Sequence, residues 1–209
     1  MLYEKVKDIL IISTILIILC YVWLSQFSIM AKAPVVDYSN QLESLSNSLQ
    51  SLIDSQYSEP ISIEIKSIKL NVSITPVGIE KDGSMEVPKD FYKVGWLKTS
   101  SKLGQKGNLV LSGHYDTPTG TPAVFYYLQN IKQGDIVKIT TQLQSGLIDF
   151  REYRVTEIYL ADPNNNDHVK EVYKNTEHPT ITIITCNGIW NPVKHEYSHR
   201  VVVKGELVD

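Results

Sequence analysis

From residue 61 to the C-terminus the chain is a succession of short β-branched runs broken by turn signals, and no other feature restricts the possible folds as strongly. Residues 61–65, 68–72, 108–112, 136–139, 153–158, 180–185 and 200–203 have the length and composition of strands. Lys81-Asp-Gly83, Gly104, Gly107, Pro118-Thr-Gly120, Gly134-Asp135 and Asn164-Asn-Asn166 punctuate them. Only residues 123–130 have the length and pattern of a helix, so the crossover helices that a parallel α/β sheet requires are missing. The expectation is a mainly β domain: a mostly antiparallel barrel or sandwich of seven or eight strands with one or two short helices. Residues 59–209 are numerous enough to bury one core without metals or disulfides.

The N-terminal part obeys different rules. Residues 9–31 carry no charge and are dominated by Ile, Leu, Val and aromatic side chains, a length that matches the roughly 20 residues a helix needs to cross the hydrocarbon layer. Lys5 and Lys7 precede the run and Lys32 alone follows closely, which favours a cytoplasmic N-terminus and an extracellular remainder. Tyr21, Trp23 and Phe27 sit toward the exit end, where amphipathic rings favour the headgroup level. Ala31-Lys-Ala33 resembles a signal-peptide cleavage site, but the apolar run exceeds a signal peptide's usual core and Pro34 would follow the cut. The expected organisation is therefore a cytoplasmic tip and membrane-spanning signal anchor over 1–33, a stalk over 34–58 and a single extracellular domain over 59–209. Within the stalk, Leu42, Leu45, Leu49, Leu52 and Ile53 recur at helical steps.

Charge excludes one class of partner. Lys and Arg total 20 against 23 for Asp and Glu, a formal net charge of -3, which leaves no electrostatic footprint for nucleic acid. The two cysteines, Cys20 and Cys186, cannot form a metal cluster of Cys-rich spacing or a disulfide framework.

Cys186 follows the apolar run 180–185 and precedes Asn187-Gly188, which places the thiol where a strand is expected to give way to a turn. An unpaired cysteine outside the cell implies an intermolecular bond, a reactive thiol, or simply a small buried hydrophobe. A reactive thiol needs a base or cation nearby, since free cysteine has a pKa of about 8.5. Of five histidines, His114 is the best placed, at the end of the strand 108–112 and ahead of a Thr-Pro-Thr-Gly loop. His168, His178, His195 and His199 read as solvated surface. Asp116 lies close enough in sequence to tune His114, a solvated loop carboxylate being its plainer role. Arg200 opens the final apolar strand about 14 residues beyond Cys186, the right distance for an antiparallel strand to return its guanidinium beside the thiol.

These residues resemble a known family. Thr182-Ile-Ile-Thr-Cys186 is similar to the Thr-Leu-x-Thr-Cys motif of sortases, the cysteine transpeptidases that attach surface proteins to Gram-positive cell walls, and Ser112-Gly-His114 resembles their histidine strand. Met85-Glu-Val-Pro88 and Val94-Gly-Trp96 look like early strands of the same fold. Histidine, then cysteine about 70 residues on, then arginine about 14 beyond that is the family's order. The resemblance implies an eight-stranded sortase barrel behind an N-terminal transmembrane helix, acting on surface proteins that carry a Leu-Pro-x-Thr-Gly-like sorting signal. By the same resemblance Cys186 attacks the Thr carbonyl, His114 is the acid and base, and Arg200 stabilises the oxyanion with help from the region around Thr185. The loop 161–179 lines the signal groove, Trp190 either shapes the entrance of the amine or is an ordinary surface aromatic, and the acceptor is an amine of a peptidoglycan cross-bridge or a pilin.

No metal or other cofactor is expected. Residues 100–108 lack the acidic side chains of the calcium-dependent class A sortases. The run 162–173 departs from an EF-hand loop, with Asp167 where Gly is needed and Tyr173 where Glu is needed. A single-pass enzyme of class A, D or E is favoured, since neither an Asp-Pro-aromatic lid nor a second membrane segment is found. Two rivals stand beside it: a thiol protease with water as acceptor, and a non-catalytic membrane-tethered barrel that binds surface ligands.

Overall fold

The computed structural model describes residues 2–30, 38–81, 83–143 and 145–208, with side chains described throughout except over 2–10, 27–30 and 50–56. The chain divides into two compact units, Met1–Leu49 and Gln50–Asp209. Helix α1 spans Leu2–Met30 and helix α2 spans Ser39–Gln56. In α1 the large apolar side chains from Ile11 to Leu24 stand exposed, Ile17 and Trp23 at 67%. Among the described residues no helix is long and apolar enough to cross a membrane. The uncharged run 9–31 extends beyond the described side chains at both ends, and the Ala31-Lys-Ala33 site and the boundary at residue 33 lie outside the described residues. The helical steps of Leu42, Leu45 and Leu49 do form one helix, α2, and leave those three side chains exposed.

The second unit is a closed eight-stranded barrel, with strands in the order β1-β2-β3-β4-β7-β8-β6-β5. The strands are β1 Pro60–Ile65, β2 Leu70–Val77, β3 Val94–Leu97, β4 Gly107–Ser112, β5 Ile136–Gln142, β6 Ile148–Ala161, β7 Pro179–Asn191 and β8 Glu196–Leu207. Period-two alternation fills the interior: Leu109 and Leu111 of β4, Ile181 and Ile183 of β7 and Val201 and Val203 of β8 point inward and are buried with Ile63, Ile65, Trp96 and Ile139. Their neighbours Val110, Ile184, Cys186, Arg200 and Val202 therefore belong to the outer face.

The barrel is mostly antiparallel, as expected: six of the strand pairings are antiparallel, while β2 with β3 and β4 with β7 are parallel. A parallel neighbour needs a crossover connection, and here 78–93 and the whole segment 113–178 supply it without a sheet-covering helix in every crossing. Local expectations are corrected. Residues 85–88 are not a strand; Met85 only forms an isolated bridge with Ile79. The helical stretch 123–130 shortens to a 3₁₀ turn, Tyr126–Asn130. Asn164-Asn-Asn166 is not merely a turn, because Asn165 caps helix α3, Asn166–Tyr173, accepting from the N–H groups of Asp167 and His168.

Helix α3 seals one end of the outer face of β4, β7 and β8. Its Val172 packs with Ala161 and Val202. The Asn108 amide donates to the carbonyls of Val172 (3.0 Å) and Lys174 (3.3 Å), and the Thr182 hydroxyl donates to Asn108 (2.9 Å). The Lys204 ammonium reaches Glu171 at 2.6 Å. The opposite end of the same face, beyond Ser112 on β4 and Ile184 on β7, is left uncovered by α3.

Ile183 is fully buried in the strand that carries the thiol. Ile183→Ala should lower the unfolding free energy by about 2–5 kcal/mol, as measured by urea denaturation followed by circular dichroism.

Candidate active site

The β4–β7 ladder is parallel and unbroken from Gly107 opposite Pro179 to Ser112 opposite Ile184. Because both strands run the same way, the residues that follow the last pair on each strand lie at the same edge of the ladder. Two residues further along that register stand His114 and Cys186. The peptide between them is tied on both sides: the Gly113 N–H donates to the Ile184 carbonyl (3.2 Å), and the Thr185 hydroxyl donates to the Gly113 carbonyl (2.9 Å). Gly113 is required by space alone, since a Cβ there would lie 2.6 Å from the buried ring of Phe125.

His114 is half-buried and oriented from the far side. Its Nε2 lies 2.8 Å from the Pro88 carbonyl, and its ring sits 4.5 Å from that of Phe91. A carbonyl can only accept, so Nε2 carries a hydrogen and Nδ1 is the nitrogen free to exchange a proton. Pro88 and Phe91 belong to the β2–β3 crossover, and nothing in their local sequence marks them as partners of a histidine over twenty residues away.

Cys186 does not end its strand. β7 continues to Asn191, pairs with β8 throughout, and only a register shift between Asn187 and Trp190 interrupts it, where Gly188 adopts φ 91°. Cys186 faces Arg200 directly across the β7–β8 ladder. One guanidinium nitrogen of Arg200 donates to the carbonyls of Tyr197 (2.9 Å) and His199 (3.0 Å), which fixes the fork at the thiol's edge. Both thiols of the chain, Cys20 and Cys186, are free.

Burial pushes the Cys186 thiol above its ordinary pKa, the Arg200 charge pulls it down, and the Asp116 charge pushes it up. The net direction is upward, so the resting group is a neutral thiol. Asp116 is not a solvated loop carboxylate. It is half-buried, bridges through its backbone to Pro122, and accepts a hydrogen bond of 2.5 Å from the Tyr197 hydroxyl. That bond and burial raise the Tyr197 phenol well above the usual tyrosine value, burial being the larger cause.

The other expected positions divide. The Thr185 side chain is 3% exposed and points inward, so its hydroxyl ties β4 to β7 and is turned away from the outer face where a peptide would lie. Trp190 is not in a loop but in β7, opposite Tyr197, with its ring 5.2 Å from the Tyr197 ring and 46% exposed. Segment 161–179 contains α3 at its centre, Asn166–Tyr173, flanked by irregular backbone. His168 sits on that helix and accepts from the Asp162 N–H (3.0 Å), His178 lies 3.6 Å from Glu206, and His195 occupies the β7–β8 turn with φ 54°. His199 stands opposite Asn187, its ring bonded to Ser198 (2.8 Å). The residues without a sequence signal are Tyr115 and Tyr197, whose rings meet edge-on at 5.7 Å. Among the described residues no three His, Cys, Asp or Glu side chains gather as a metal site.

A cleft of about 730 Å³ opens on the same outer face, walled by Ile79, Met85, Leu97, Lys98, Val110 and Tyr173. It does not reach the thiol. It begins at Val110 on β4, four residues before His114, or about 13 Å of extended chain.

A family model for the Sortase domain matches residues 63–208. Among solved structures, the chain is similar to sortase A of Listeria monocytogenes at 25% identity, covering 73% of this chain and 88% of that one with a TM-score of 0.53. It is similar to sortase C-1 of Actinomyces oris at 26% identity, covering 71% of each chain with a TM-score of 0.53. A Clostridium perfringens sortase D5 transpeptidase shares the fold at 23% identity, covering 78% of this chain and 88% of that one with a TM-score of 0.51. No curated protein matches the chain.

The thiolate is the form that alkylates, so the charges around Cys186 can be read from its reactivity. In a Cys20→Ser background, the pH midpoint for reaction with iodoacetamide should lie above that of ordinary cysteine. Arg200→Met should move it further up and Asp116→Asn should move it down.

Proposed function

The chain belongs to the sortase family, matched over residues 63–208 of its 209, and from that premise we propose that it is a membrane-anchored cysteine transpeptidase that cleaves a Leu-Pro-x-Thr-Gly-like signal between Thr and Gly. The observation that carries this reading is the double register at one barrel edge, with His114 level with Cys186 across β4–β7 and Arg200 opposite it across β7–β8.

The chemistry follows from the protonation states. Cys186 begins neutral, so its proton passes to Nδ1 of His114 as sulfur attacks the Thr carbonyl. Nε2–H stays on the Pro88 carbonyl throughout and keeps the ring in one orientation. The guanidinium donors that Arg200 does not spend on its own backbone face the developing oxyanion. As the C–N bond breaks, Nδ1–H protonates the departing glycine amine, leaving a thioester on Cys186. An incoming amine then runs the same steps in reverse and forms the new amide.

The outer face suits an extended peptide. With the Thr carbonyl at the sulfur, the Leu three residues back lies about 10 Å away, at the mouth of the cleft beside Val110. The apolar walls Ile79, Met85, Leu97 and Val110 match an aliphatic anchor there. The partners in this reading are surface proteins or pilins that bear the signal, and an amine acceptor at the wall or on a pilin.

The anchor is part of the proposal. It is supported by the uncharged run 9–31, by the 29-residue length of α1, and by the exposed apolar side chains on that helix, which water would penalise and acyl chains would cover. The basic residues before the run favour a cytoplasmic N-terminus and an extracellular catalytic domain. After an alkaline carbonate wash of cell membranes the chain should remain in the pellet; release into the supernatant would remove the anchor.

The deciding experiment is mass spectrometry of the protein mixed with signal peptides. A thioester adduct on Cys186, resolved by an added amine, is expected, with none in Cys186→Ala. His114→Ala and Arg200→Ala should each lower kcat/KM by about 10²–10⁴. Hydrolysed acid alone in the presence of amine would instead indicate a thiol protease, and an unreactive Cys186 with every peptide would leave a tethered binding barrel.

A further inference from the structure

Beside the thiol, on the side away from the cleft, lies a second arrangement that the acylation half of the chemistry does not use. Tyr126 stacks on Tyr115 at 4.8 Å, Tyr115 meets Tyr197 at 5.7 Å, and Tyr197 meets Trp190 at 5.2 Å. This row of rings crosses from the loop after β4 to the β7–β8 hairpin. Asp116 projects into it, held by the Tyr197 hydroxyl and by the backbone bridge to Pro122. Further hydrogen bonds fix that backbone: Ala123 N–H to Tyr115 O (3.0 Å), Thr117 N–H to Thr121 O (2.9 Å) and Phe125 N–H to His114 O (2.9 Å).

The carboxylate is misplaced for activating a nucleophile. It raises the thiol, against the need of the first step, and among the described residues it forms no ion pair with Lys, Arg or His. A half-buried carboxylate without a cation, walled by aromatic rings, is the chemistry that recognises an ammonium group. The place beside the thioester where such a group would sit is also the place from which the second substrate must attack.

We propose that Asp116, Tyr115, Tyr197 and Trp190 form the acceptor site and that they select an acceptor amine arriving as a protonated alkylammonium, of the lysine side-chain type. The inference rests on the transpeptidase reading and specifies its second substrate. In the transfer the ammonium sheds two protons: one moves to Nδ1 of His114 and the other ends on the sulfur of Cys186. The N–C bond forms as the C–S bond breaks, and no electron leaves or enters.

Two measurements test this. First, Nα-acetyl-lysine amide titrated into the resting protein should shift the NMR signals of Tyr115, Tyr197 and Trp190. The shifts should disappear in Asp116→Asn and persist in Asp116→Glu. This readout needs no acyl-enzyme, so it decides the ammonium site even if no signal peptide acylates Cys186, an outcome that would sink the transpeptidase reading alone. Second, with a peptide that forms the thioester, transfer to Nα-acetyl-lysine amide is compared with transfer to hydroxylamine, which is largely neutral at neutral pH. The ratio of the two should fall at least tenfold in Asp116→Asn, less in Tyr197→Phe, and recover in Asp116→Glu. Absence of ring shifts in the wild-type protein, or a ratio unchanged by Asp116→Asn, would overturn the proposal.

Discussion

The parallel pairing of β4 with β7 is the constraint on which the rest depends. Antiparallel neighbours would send the ends of the two strands to opposite edges of the barrel, and His114 would stand a strand's length from Cys186. Running in the same direction, they bring the end of their shared ladder, Ser112 opposite Ile184, to one edge, with His114 and Cys186 each two residues beyond it. The hydrogen bonds on either side of Gly113 then lock the last step of the ladder, so the histidine cannot slide along the cysteine strand without breaking both. A one-residue slip would also turn Cys186 inward and Thr185 outward, because side chains alternate across a sheet. The burial of Ile181, Ile183, Leu109 and Leu111 makes such a slip costly, and in this way the apolar core holds the chemistry in register.

Around that geometry the electrostatics are balanced and not maximised. Arg200 favours a thiolate, while burial and Asp116 oppose it more strongly. A thiolate is the form most open to oxidation, whereas a neutral thiol is less reactive. The fixed Nε2–H contact with Pro88 leaves one nitrogen free to exchange a proton and keeps the tautomer constant.

Much of the barrel was legible because its strand centres are β-branched and its turns carry Gly, Pro or Asn. The extensions were not. Residues 187–191 and 196–199 are half-buried or exposed and show no strict apolar alternation, so the pairing that carries β7 past the thiol is visible only where both strands are seen together. Helix α3 hid behind a run of asparagines that reads as a turn, although Asn165 followed by Asp167 also fits a helix start. Residues 85–88 look extended but find no neighbouring strand, since a strand needs a partner as well as a propensity. Asp116 shows the same limit at the site: its hydrogen bond to Tyr197 spans a separation of 81 positions that no local motif encodes.

By itself, then, the sequence determined the elements and the reactive groups: β-branched runs that must bury one face, an uncharged N-terminal run, and a thiol, an imidazole and a guanidinium in family order. Only the tertiary structure decided which faces these groups share and what surrounds them. It set Cys186 opposite Arg200, turned the Thr185 hydroxyl into a strand tie, tethered His114 to Pro88, and gathered Asp116 with Tyr115, Tyr197 and Trp190. The reason is physical: composition and periodicity report what a residue can do within its own strand or turn, whereas charge balance and proton routing depend on neighbours that closure of the barrel brings together.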